Sequence, residues 1–421
     1  MSGCPIHSEA HQGPIDNILD PTIFAGGMPY AALAELRSRG PVVHMEDNIT
    51  GVPYWLITQR EALDFIERNP EIFSSQARSA MPTEDDQESV DNISVKMLIN
   101  MDEPRHMKMR RVVRDAFTPR AVDRHLPFLE EHAKKIIDSV ASKGECEFVT
   151  DVASELPLLT ILHLLDVPTE DRSKIFTWTN RMMFADDPDV SGGKEDAEAA
   201  AAEMMEYAYM LKVGWDSEPR DTVTGALLRG EIDGEPISDE EFMWMFLMTI
   251  TAGNESTRTS ISHGMRLLME HPDQLEWLRA NPDQIPNAVD EMLRYNTAFV
   301  CMKRTAMRDI DVGGQPIKCG DKIILHYHTV NHDEKVFGED ATKFDVTRAL
   351  RHKDLSRDLR SFGTGSHFCL GTHLAKQEMR VMFEQILPRL RNPEFAAPIK
   401  YMQSYFISGI REMPIRFTPE Q

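Results

Sequence analysis

Three short stretches of this chain hold residues whose types and spacing could do chemistry. In SFGTGSHFCLGTHLA (Ser361–Ala375) one cysteine, Cys369, stands among three glycines and two histidines. Glycine loses more backbone entropy on folding than any other residue, so Gly363, Gly365 and Gly371 need a reason. Close approach of the backbone to a flat object is one. The helix expected from about Gly371 points its N-terminal dipole and free N–H groups toward the sulfur, which favours thiolate. In AGNEST (Ala252–Thr257) an acid, Glu255, and a hydroxyl, Ser256, follow Gly253. Two readings of that stretch stand side by side. One is a tight helix crossing that emerges into solvent. The other is a local widening of the helix over something bound, with a proton-relay pair beside it. In EMLR (Glu291–Arg294) an acid and a base at i and i+3 share a helix face.

The elements that must position these residues are mainly helical. Ser238 and Glu241 form a capping box, and Ile237 and Phe242 a hydrophobic staple, at the start of a helix that His271-Pro272 ends. At ~1.5 Å per residue that helix is roughly 48 Å long. Its first half, FMWMFLMTITAG, is apolar on every side and too short to span a bilayer, so it belongs in the core. AKQEMRVMFEQI places Ala375, Met379, Met382 and Ile386 on one helical face, with Pro388 expected to stop it. VPYWLITQ (Val52–Gln59) reads as a strand, and DIDVGGQPIKCGDKIIL (Asp309–Leu325) as a hairpin turning at Gly313-Gly314. The 421 residues show no clean linker, so one domain is expected over 1–421, with about 1–25 as a flexible lead-in.

Composition excludes several functions. A net charge of −22 argues against nucleic acid as the partner. No stretch approaches a membrane span or a secretory signal, so a cytoplasmic protein is expected. The five cysteines are odd in number and widely spaced, which argues against disulfides and zinc clusters. A metal at Cys369 would have that sulfur as its sole cysteine ligand. Such a thiolate suits an axial heme ligand, where it favours O–O cleavage.

FGTGSHFCLG (Phe362–Gly371) resembles the heme-binding loop F-x-x-G-x-x-x-C-x-G of the cytochrome P-450 family. AGNEST resembles that family's oxygen-activating segment, EMLR its E-x-x-R pair, and KFDVTR (Lys343–Arg348) the segment whose arginine completes the pair. HMKMRRVVRDAFTPR (His106–Arg120) resembles the helix flanking the heme in soluble bacterial members. The resemblance covers nearly the whole chain from about residue 20 and implies a triangular, mainly α prism with small β-sheets and a long central helix over heme.

The resemblance also implies roles. Cys369 is the axial ligand of heme b. His106, Arg110, Arg304 and His367 face the propionates. Phe362, Gly363 and Gly371 in the loop, and Ala252 and Gly253 on the helix, contact the heme. Glu291, Arg294 and Arg348 form a structural network. Glu255 and Ser256 handle protons, although the family usually has threonine where Ser256 stands. Met248, Ala252, Phe299, Val300 and Phe406 match pocket-facing segments, none of them ionic, and imply an apolar substrate of terpenoid, steroid or long-chain aliphatic type. The implied reaction inserts one oxygen atom from O₂ into a C–H bond. Electrons would come from a ferredoxin and ferredoxin reductase docking near Lys108, Arg111, Arg114, Lys376 and Arg380, on a monomer without nucleic-acid or membrane partners. The alternatives are a peroxide-driven or isomerase/dehydratase heme-thiolate enzyme and, more remotely, a heme sensor or electron carrier.

Overall fold

The computed structural model describes residues 10, 11, 13–82, 96–215 and 222–421. The chain is 53% helical, with small sheets at its margins. The expected helix spans Asp239–Glu270 as 32 residues, and both halves of the Ser238/Glu241 capping box are made. Ile237 and Phe242 are buried beside it. This central helix crosses the larger apolar core, packed by Glu155–Leu164, Ile285–Tyr295 and the cysteine helix, Thr372–Arg389.

A second core lies under a five-stranded sheet ordered Val42–Met45, Tyr54–Ile57, Lys322–His326, Cys301–Ala306, Phe73–Ser74. Tyr54–Ile57 runs parallel to Lys322–His326, and the other pairs are antiparallel. The hairpin Ile310–Val312/Gln315–Ile317 turns at Gly313 and Gly314, both at positive φ as a tight two-residue turn requires.

Two expectations need correction. Residues 1–9 and 12 of the supposed lead-in lie outside the described residues, but from residue 13 the segment is anchored. Ile15 and Ile18 are buried, and Asn17 bonds Asp47 and the Tyr54 hydroxyl. Apolar side chains at this spacing bury readily against the sheet. Pro388 does not stop its helix, which continues to Arg389. So close to the end, the proline removes one hydrogen bond from a turn that has few left to lose.

The sheet-side core encloses His326, His328 and His332, all buried. Burial pushes His326 down to about 3. Burial, aided by adjacent rings and Arg37, holds His328 well below its ordinary value, and His332 is lowered likewise. Below about pH 6.5 the unfolded chain binds more protons at these rings than the folded chain, so stability falls on acidification. The melting temperature should drop as pH is lowered from about 6.5 toward about 4. His328→Phe keeps an aromatic ring beside Tyr30 and His332 and should drop less steeply. Equal slopes for the two proteins would contradict this assignment.

Candidate active site

One face of the central helix lines a cavity: Met245, Met248, Thr249, Ala252, Gly253, Ser256, Thr257 and Ser260. These recur at helical spacing, a single stripe. Ser256 donates its hydroxyl to the Ala252 carbonyl at 2.8 Å. The helix stays α through this stretch and does not widen. Gly253 is there for a tight crossing, because a Cβ on it would lie 2.9 Å from Ile161 Cδ1. Of the two readings of AGNEST, the crossing describes the backbone, while the stripe still faces a cavity.

Glu255 is not in that stripe. At about 100° per residue the stripe is wide enough to hold Ser256 with Thr257, and Glu255 falls beyond its other edge, outside the lining residues. Glu255 is fully buried, ion-paired with Arg258, and accepts from Asn254 Nδ2 at 3.0 Å. Arg258 in turn donates to Asn180 at 3.0 Å. Burial raises the Glu255 carboxyl, against the pull of Arg258.

The opposite wall is the cysteine loop: Phe362, Gly363, His367, Cys369, Leu370 and Gly371. Cys369 is exposed to this cavity. Burial raises its thiol above the ordinary value, while the N–H groups of Gly371 and Thr372, the Thr372 hydroxyl and Arg110 pull the other way. The helix N-terminus favours thiolate, as the sequence suggested, but burial outweighs it. A bound metal ion would make the thiolate, since a coordinating thiol is deprotonated outright.

Two loop glycines answer to backbone geometry. Gly363 and Gly365 have φ of +66° and +68°. A Cβ on Gly365 would lie 2.2 Å from the Glu67 carbonyl oxygen. Gly371 has ordinary φ, and a Cβ there would sit 3.9 Å from Cys369 Sγ, so its freedom serves the space beside the sulfur.

His106, Arg110, Arg304 and His367 all line the cavity on the loop side. The rings of His106 and His367 stack at 4.0 Å. His106 Nδ1 lies 3.0 Å from Glu103 Oε1, and Arg110 donates to the Phe368 carbonyl. Burial lowers both histidines, His367 to about 2, so both rings are neutral near neutral pH. Both rings bring N–H groups to the cavity wall.

Glu291, Arg294 and Arg348 meet in full burial. Arg294 grips Glu291 at 2.7 and 2.8 Å, and Arg348 Nε lies 3.0 and 3.1 Å from its two oxygens.

Of the substrate-facing candidates, Met248, Ala252 and Phe299 line the cavity. Val300 and Phe406 are not among its lining residues. Val300 is buried in the sheet-side core, its N–H donating to the Phe406 carbonyl at 2.8 Å, and Phe406 packs behind Phe299 at 5.1 Å.

Sequence reasoning missed several lining residues. Met245, Thr249 and Ser260 were legible as the helical stripe through Ser256. Glu378 falls at i+3 from Ala375; its carboxyl neighbours Thr160 and Thr257 and is pushed by burial up to about 8. Leu98, Ile99, Met302 and Glu67 carry no local signal.

The cavity fits an iron porphyrin: an exposed thiol on one wall, small residues opposite it, and arginines and N–H donors grouped at one end where two carboxylates would lie. Gly365→Ala should cost about 1–3 kcal/mol of stability through its left-handed φ and lower heme retention on purification. Full retention with an unchanged melting temperature would contradict the tight packing of loop on Glu67.

The sequence model described as cytochrome P-450 matches residues 194–394. A steroid C26-monooxygenase of Rhodococcus jostii is 35% identical, covering 94% of this chain and 84% of that protein. A methyl-branched lipid omega-hydroxylase of Mycobacterium tuberculosis is 31% identical, covering 92% of this chain and 90% of that protein. A Mycobacterium marinum cytochrome P-450 solved in complex with pseudoionone superposes with a TM-score of 0.86 at 28% identity, covering 97% of this chain and all of that one, 100%.

Proposed function

This chain belongs to the cytochrome P-450 family and is a monooxygenase, and from that premise we propose that it hydroxylates an uncharged, methyl-branched apolar molecule of terpenoid, steroid or long-chain aliphatic type. The observation that carries the reading is the division of the cavity wall. Ionic groups gather on the loop side, around His367, Arg110 and Arg304, whereas Leu98, Ile99, Met245, Met248, Phe299 and Met302 bring none. An apolar wall of flexible thioethers suits a bulky, adaptable hydrocarbon. The names of the steroid, branched-lipid and pseudoionone relatives fall in the same chemical class.

The family's cofactor is a heme-thiolate iron; we take it to be heme b, with Cys369 as the axial ligand and His106, Arg110, Arg304 and His367 at the propionates. When bound, that group supplies the activation of dioxygen. The chain's own residues do the rest. The methionine side orients the substrate and excludes water. Ser256, on the cavity stripe, passes on a proton, and Glu255 supplies it after turning from Arg258.

The electron donor in this reading is a ferredoxin with its reductase, and the enzyme works as a cytoplasmic monomer. Docking falls to Arg111 and Arg114, the latter held only by a long, exposed pair with Asp115 at 3.4 Å. Lys108 is engaged by Asp233 at 2.6 Å, Lys376 by Asp290 at 2.6 Å and Arg380 by Glu384 at 3.0 Å. Charge reversal at Arg111 and Arg114 together should slow reduction at low salt and leave the high-salt rate unchanged; no low-salt change would contradict a role for that helix in docking.

Two measurements test the rest. Branched terpenoids, sterols and fatty chains should shift the heme spin state more fully than compact polar or anionic molecules; an anionic molecule giving the largest shift would refute the substrate class. Ser256→Ala should continue to consume reductant while product per reductant falls, with oxygen appearing as hydrogen peroxide. Coupling equal to the parent would remove Ser256 from the proton path.

A further inference from the structure

Among the cavity's lining residues is a carboxylate that neither the motifs nor the proposed reaction uses. Glu67 ends the helix Arg60–Glu67, is 5% exposed, and faces the same end of the cavity as Arg304. Its Oε1 accepts from the Tyr327 hydroxyl at 2.7 Å, and its Oε2 from the Thr364 N–H at 2.8 Å. Arg304 Nη2 lies 3.7 Å from Oε1 while Arg304 Nη1 donates to the Lys303 carbonyl at 2.8 Å. The same helix holds the start of the cysteine loop through Asp64, which takes two bonds from Arg360 at 2.6 and 2.8 Å. A cavity end suited to two carboxylates thus already contains a third, buried and fully hydrogen-bonded.

A buried charge is retained only where partners meet it. Tyr327, Thr364 and Arg304 meet this one. We propose that Glu67 is a positioning residue for the propionate end of the heme site: it holds Arg304 in the cavity wall and fixes one negative charge there, which lowers the reduction potential of the bound iron. The inference rests on the heme reading above. The charged side chains lining that end are Arg110, Arg304 and Glu67; burial raises the Glu67 carboxyl, while Arg304, Tyr327, the Thr364 N–H and Arg360 pull it back down. Glu67 offsets part of the positive charge that Arg110 and Arg304 turn toward two propionates. In a buried site of low effective dielectric, one further negative charge favours the more positive ferric state.

The experiment is a spectroelectrochemical titration of the heme-loaded full chain, comparing the parent with Glu67→Gln and Glu67→Asp. Glutamine keeps the size and removes the charge; aspartate keeps the charge. The midpoint should move upward in Glu67→Gln and stay near the parent in Glu67→Asp, with the red-shifted ferrous–CO band intact in all three. A loaded Glu67→Gln with an unchanged or lower midpoint overturns the proposal. So does an equal rise in both variants, which would mark a packing effect. If Glu67→Gln purifies without heme, hemin is titrated into both variants: binding at least tenfold weaker in Glu67→Gln alone supports the hold on Arg304, and equal loss in both overturns it. Absence of the red-shifted band in the parent itself would refute the heme reading, and with it this inference.

Discussion

Glu291 has no water to fall back on. Its two oxygens are shared between Arg294 and Arg348, and all three side chains are sealed from solvent. Breaking such a network by removing one member typically costs about 3–5 kcal/mol, because it strands a charge in the interior. The arginines also spend their remaining donors on backbone. Arg294 reaches the carbonyls of Asn331 and Ala341 at 2.7 Å each, and Arg348 those of Asp340 and Lys343 at 2.9 and 2.8 Å. This pins the irregular segment between the sheet and the cysteine loop. Asn331, so fixed, binds the Ser361 hydroxyl at 2.9 Å and the Arg360 N–H at 2.6 Å. Ser361 opens the loop that presents Cys369. The acid–base network never touches the cavity, yet the position of the sulfur descends from it.

The second constraint is helical geometry. A helix offers one stripe to a cavity, and here it is the stripe through Met245, Thr249, Ala252, Ser256 and Ser260. Whatever Glu255 contributes must come from the neighbouring face, where Arg258 holds it. Glycine at 253 lets the helix lie close against Ile161, which keeps the stripe near the sulfur wall. Packing and chemistry share that residue.

Much of this was legible in the sequence. The capping box set the start of the central helix to the residue, and the glycines of the cysteine loop marked a backbone that favours glycine at 363 and 365. The i, i+3 acid and base predicted their shared face. What was not legible depended on contacts distant in sequence or on direction within an element. Glu67 meets Thr364 across 297 residues of sequence, and nothing near either residue signals the other. Val300 and Phe406 belong to pocket-facing segments, but Val300 is buried in the sheet-side core and Phe406 packs against Phe299. The thiol's raised proton affinity followed from burial, which local reading of a helix N-terminus underestimates. The anchoring of residues 13–25 turned on Ile15, Ile18 and Asn17 finding partners in the sheet.

The central claim is that Cys369 presents its sulfur, as thiolate, to an iron porphyrin in this cavity. The most direct test is the absorption spectrum of the reduced, carbon monoxide-saturated protein, parent beside Cys369→His. The parent should show a strongly red-shifted Soret band, and Cys369→His should retain heme but lose that shift. A parent without the shifted band, or a Cys369→His variant that keeps it unchanged, would contradict the account.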